Sequence, residues 1–134
     1  VYKRQVLTSC TSCGEQQQYI PYIPVNVDIN VNLPAYNDLA HVSQAIAIPG
    51  GSKGLYVRRN ALDEFIVLDR HSTFDVALGC QVTLDDDNVT LRDESDCSES
   101  QWLMIDGSVM SGPAEVPLHR YRTTWNDPIL QIYN

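Results

Sequence analysis

The chain has 134 residues, 43% of them hydrophobic, enough for one domain with a small core and too apolar for a disordered polymer. Its formal net charge is −8 and its nine Lys and Arg are scattered, a balance that repels phosphate backbones and argues against nucleic-acid binding. No run approaches the roughly 18 apolar residues of a membrane-spanning helix.

Val1–Gln5 (VYKRQ) do not resemble the start of a gene product and are set aside from the fold reading. Leu7-Thr8-Ser9-Cys10 match the end of a bacterial lipoprotein signal: an aliphatic residue, two small residues, then the cysteine that is acylated. The TSCGEQQQ that follows is small and polar, as a tether should be. The alternative is an ordinary cysteine in a floppy tail. Cys13 is either a free thiol in the tether or the acylated residue in place of Cys10. Residues 1–24 are therefore expected to form a truncated signal and tether, and residues 25–134 the domain. The expected location is the bacterial cell envelope, with the chain lipid-anchored to a membrane and periplasmic or surface-facing.

From Val25 to Leu33 the sequence VNVDINVNL alternates strictly, the period of a half-buried strand whose polar face is all Asn and Asp. Pro21, Pro24 and Pro34 bracket it and oppose helix on both sides. Ala35–Ala45 (AYNDLAHVSQA) is the one stretch with helical character, and IPGGSKG after it reads as a loop. Leu55–Arg59 and Glu64–Arg70 form a hairpin-like pair of strands joined by NALD. Cys80–Leu84 and Asn88–Asp93 are short strands around the acidic turn Asp85–Asn88. Trp102–Ile105 and Ser108–Met110 flank Asp106-Gly107, the strongest hairpin signal in the chain. Pro117–Trp125 and Pro128–Asn134 supply two closing strands. Many short strands separated by turns indicate an antiparallel all-β domain from Val25 to Asn134.

Motifs with chemistry are few. The DDDN run lacks the alternating oxygen ligands and central Gly of a calcium loop, so it reads as a solvated turn. Asn88-Val89-Thr90 is formally a glycosylation sequon and carries little meaning in the bacterial chain that the lipoprotein-like Leu7–Cys10 implies. His41, His71 and His119 are too scattered for a zinc site of recognised spacing. Gly50-Gly51-Ser52-Lys53-Gly54 lacks the spacing of a phosphate loop, and no Gly-x-Ser-x-Gly nucleophile appears. No carboxylate pair sits in an apolar context that would separate its pKa values. Hydrolase chemistry has no support.

One stretch remains, DCSESQWLMIDGSVMSGPA from Asp96 to Ala114, with FIVLD ahead of it ending in Asp69. On these residues the segment Phe65–Tyr121 resembles the Rieske [2Fe–2S] domain, and in particular the short Rieske-like lipoproteins of Bacteroidetes. The resemblance implies an antiparallel β-sandwich of small sheets, with two loops forming the cluster-binding tip and a Gly-Pro-Ala loop, here Gly112-Pro113-Ala114, covering it. In register, Ser72 and Phe74 stand where the first Cys and His belong, and Ser95 and Ser98 at the second Cys and His. Cys80 and Cys97 fall where some Rieske domains carry a disulfide between the two loops; two reduced buried cysteines are the alternative. A Rieske centre needs two thiolates and two imidazoles. Serine stays protonated near neutral pH and Phe74 cannot ligate, so no [2Fe–2S] cofactor is expected. A different metal through Cys80, Cys97 and His71 has no supporting spacing.

The resemblance thus leads to a non-catalytic binding or assembly module, not an enzyme. Its partner would be an envelope protein or small ligand facing the former tip. The second reading is a Rieske-type electron-transfer protein, which the fold implies and the residues oppose.

Overall fold

The structure is a computed structural model that describes residues 19–134. The expectations for Val1–Gln5, Cys10 and Cys13 lie outside the described residues.

The described chain is all-β. In order it forms β1 (Asn26–Asn30), β2 (Ala45–Ile48), β3 (Leu55–Ala61), β4 (Glu64–Asp69), β5 (Thr83–Leu84), β6 (Thr90–Arg92), β7 (Gln101–Leu103), β8 (Val109–Ser111), β9 (Arg122–Asn126) and β10 (Ile129–Tyr133). Short 3-10 helices occupy Pro34–Ala40 and Val76–Leu78. The strands pair into three antiparallel sheets, ordered β1-β10-β9, β2-β3-β4 and β5-β6-β7-β8.

The β2-β3-β4 sheet lies between two cores, so Leu55–Val57 of β3 and Phe65–Leu68 of β4 are apolar on both faces. Alternate residues point to opposite faces of a strand. On one face Leu55, Val57, Phe65 and Val67 pack with Ile29, Leu130 and Ile132 of the β1-β10-β9 sheet. On the other, Tyr56, Ile66 and Leu68 pack with Leu91, Trp102 and Met104 from the four-stranded side. Arg59, 8% exposed, donates to the Leu39 and Leu62 carbonyls and stacks its guanidinium 5.1 Å from the ring centres of both Phe65 and Trp125.

The alternation of VNVDIN becomes β1, with Ile29 fully buried and Asn26 and Asp28 exposed. At the far end Asn134 accepts the Val25 N–H and donates to the Ile23 carbonyl, tying the start of β1 to the end of β10.

The helical expectation for Ala35–Ala45 holds only as a 3-10 segment over Pro34–Ala40. Leu39 is its one buried residue, too little apolar surface to anchor a longer amphipathic helix, and Ser43 turns the chain with a left-handed φ of 74°. Ala45, expected at the helix end, begins β2 instead. The Asp106-Gly107 hairpin is also looser than a two-residue turn. Met104, the residue just after β7, donates to the Val89 carbonyl at 2.7 Å on the β6 side, and its side chain is fully buried in the second core.

Candidate functional site

Two loops meet at one end of the four-stranded sheet. The first runs from the end of β4 to the start of β5, and the second joins β6 to β7. The first is closed on itself by a bridge between His71 and Gln81 and by the Ser72 N–H donating to the Cys80 carbonyl at 2.8 Å. Left-handed residues Asp75 and Gly79 flank its 3-10 turn.

The loops are joined covalently by a disulfide between Cys80 and Cys97, with Cα atoms 6.6 Å apart and 17 residues of separation. They are joined a second time by hydroxyl groups. Ser72, fully buried, donates to Asp93 Oδ2 at 2.9 Å, and Ser98 donates to the same oxygen at 2.6 Å. With the Ser98 proton committed there, the Ser100 hydroxyl, 2.9 Å away, supplies the proton between those two serines. Ser100 in turn accepts the Ala114 N–H at 3.0 Å, and Asp93 Oδ1 accepts the Glu94 N–H at 2.9 Å. A relay thus runs from the Gly-Pro-Ala loop through Ser100 and Ser98 to Asp93, where Ser72 joins from the other loop.

Of the positions singled out in the sequence, Ser72 and Ser98 converge on this network. Ser95 is exposed on the second loop, and Phe74 packs half-buried against the second core. Gly112, Pro113 and Ala114 follow β8 directly. A Cβ on Gly112 would sit 2.5 Å from the Ser100 Cα and 2.8 Å from the Glu99 carbonyl oxygen, so this loop lies on the second loop with no room between. A cleft of about 370 Å³ opens beside it, lined by Asp93, Ser95, Ser98, Glu99 and Gly112 among others.

Below the first loop a second anionic centre organises the backbone. Asp69 is fully buried and accepts the Ser52, Lys53 and His71 N–H groups and the Tyr121 hydroxyl, the last at 2.7 Å. Burial, then the Asp69 hydrogen bond and charge, hold the Tyr121 phenol well above its ordinary pKa. His71 is also spoken for. Its Nε2 faces the Val76 carbonyl at 2.9 Å and must carry the proton, while Nδ1 faces the Ser52 hydroxyl at 2.7 Å. His41 and His119 are exposed, His119 lying edge-on to Tyr121.

The acidic turn uses its carboxylate internally. Asp87 accepts the Val89 and Thr90 N–H groups and the Thr90 hydroxyl, and the two backbone bonds hold its pKa below the usual carboxylate value. Asp85 pairs with Arg92 at 2.6 Å.

Asp93, Glu94 and Ser100 escaped the sequence reading. No spacing marks them, because the network forms only when two loops 21 residues apart are folded together. No protein-family model matches the chain, and no curated protein matches it.

Proposed function

We propose that this chain is a cell-envelope lipoprotein, anchored to its membrane through an acylated Cys10, whose Rieske-like domain has lost its [2Fe–2S] ligands. It acts as a non-catalytic binding or assembly module and presents the former cluster tip to an envelope protein or small ligand.

The observation that carries this reading is the fate of the ligand positions. Ser72 and Ser98, which the resemblance places at a thiolate and an imidazole, spend their hydroxyls on Asp93. An alkoxide ligand would have to give up that bond beside a carboxylate, an arrangement that raises the cost of ionising serine further. The two cysteines of the tip are joined to each other, and both nitrogens of His71 have protein partners. The donor set does not fit a Rieske cluster.

Support for a binding role is the tip's construction. A disulfide and a hydroxyl–carboxylate network hold both loops and the Gly-Pro-Ala loop in place with a polar cleft beside them. Preorganised loops bind with less ordering cost than mobile ones.

Metal analysis of protein purified from its own envelope is the test. Colourless protein without stoichiometric iron is the expected result, and cross-linking through the tip should then capture an envelope partner that a Ser98→Arg variant loses. Brown protein carrying two irons per chain would refute the reading.

A further inference from the structure

On the flank of the tip, three metal-binding side chains meet. The donor atoms of Cys80, Cys97 and Glu94 all lie within 4.8 Å of one another. In the oxidised chain the two sulfurs are bonded and offer no thiolate. What brings these residues together is largely independent of that bond. The Glu94 carbonyl accepts the Cys97 N–H at 2.9 Å and the Ser98 N–H at 3.2 Å, a tight turn that folds Cys97 back beside Glu94. Across the loops, the Gln81 N–H donates to Glu94 Oε1 at 2.9 Å, one residue beyond Cys80. Ser72 holds the Cys80 carbonyl through its N–H and Asp93 through its hydroxyl. None of these bonds uses a sulfur atom.

We infer that reduction of Cys80–Cys97 turns this flank into a site for a thiophilic divalent cation of the Zn²⁺ or Cd²⁺ class. Two thiolates and one Glu94 carboxylate oxygen are the ligands, and solvent takes the fourth position. Thiolates select soft cations, and two sulfurs, one oxygen and one water make an ordinary tetrahedral set for zinc. Glu94 Oε1 is engaged by Gln81, which leaves Oε2 for the cation. Cys97 is half-buried and Glu94 exposed, so the flank is open to solvent.

The chemistry balances with a small dithiol as reductant. The protein disulfide takes two electrons and two protons and becomes two thiols, while the dithiol becomes a disulfide. Cation binding then releases both thiol protons to solvent. The site is closed in the oxidised chain and open in the reduced one. It does not rest on the family reading, since none of its three ligands stands at a cluster-ligand position.

The test uses the full chain with Cys10→Ser and Cys13→Ser, so that Cys80 and Cys97 are its only cysteines. Cd²⁺ is titrated without oxygen and read by calorimetry and by the ultraviolet thiolate-to-cadmium charge-transfer band. The reduced chain should bind one Cd²⁺ with that band, and the oxidised chain none. Glu94→Gln should weaken binding about tenfold or more, the loss seen even for partners outside a metal's ligand set. Cys80→Ser with Cys97→Ser should abolish it. The absence of the band in the reduced chain, equal binding by the oxidised chain, or unchanged affinity in Glu94→Gln would each overturn the inference. Loss of native circular dichroism on reduction would also overturn it, because the site is built on loops that stay paired without the disulfide.

Discussion

Ser72 and Asp93, fully buried and 9% exposed respectively, meet at 2.9 Å and join the loop after β4 to the loop before β7. The same Asp93 oxygen accepts Ser98, so one carboxylate satisfies hydroxyls from both loops. Removing it strands a buried donor, which costs more than the bond itself contributed. Asp93→Ala is expected to destabilise the domain by about 2–3 kcal/mol. Asp93→Asn keeps one acceptor oxygen and should cost about half as much. Urea unfolding followed by tryptophan fluorescence measures both. An Asp93→Ala variant as stable as the parent would mean that water replaces the carboxylate and the network holds nothing.

The disulfide closes a 17-residue segment, for which the chain-entropy model gives about 3 kcal/mol. Reduction, or Cys80→Ala with Cys97→Ala, should therefore lower the unfolding free energy by about that amount while the fold persists, because hydrogen bonds tie the same loops. Thiol titration of the folded chain should detect Cys80 and Cys97 only after a reductant is added. Two reactive thiols from these positions in untreated protein would contradict the pairing.

Legibility in the sequence followed the range of the interaction. β1 was readable because one face meets the core and the other meets water, so Asn and Asp alternate with Val and Ile. β3 and β4 were readable as a hairpin-like pair from their β-branched and aromatic residues, although that pattern alone did not reveal that they form the middle layer between two cores. β2 was hidden. Ala45–Ile48 is a four-residue edge strand, held by β3 on one side and never fully buried, so its pattern is too short to register a period. The Cys80–Cys97 pairing came from the family resemblance and not from spacing. Asp93 was invisible because a hydrogen-bond hub between two loops has no sequence period at all. The same holds for Asp69, whose four donors come from residues 52, 53, 71 and 121.

Gly112 has a φ of 93°, where a side chain is strained, and its missing Cβ is what lets the Gly112-Pro113-Ala114 loop lie on Ser100. The atoms a methyl would strike are backbone, which cannot swing aside. Gly112→Ala is expected to cost about 2–3 kcal/mol, from left-handed strain together with displacement of the loop. Displacing the loop also breaks the Ala114 bond to Ser100, so amide exchange at Ala114 should quicken more than at β3 or β4. Uniform acceleration across the domain would instead mean global destabilisation without local opening of this loop.

Tyr121 gives the domain an alkaline limit. Its phenol is held above the ordinary value of about 10 by burial and by the Asp69 carboxylate it donates to. The native state therefore keeps a proton that the unfolded chain releases. Stability from this contact is complete below the unfolded pKa and falls as pH rises beyond it, since the unfolded state then binds fewer protons than the native one. Tyr121→Phe removes the titration and one of four hydrogen bonds to Asp69, at a cost of about 1.5–3 kcal/mol near neutral pH. The expected signature is a crossing of slopes. Parent stability should decline between about pH 9 and 11, while the variant, weaker at the start, should decline less over that window. Urea midpoints measured across it decide the matter: parallel profiles would show that Tyr121 is not the group that titrates.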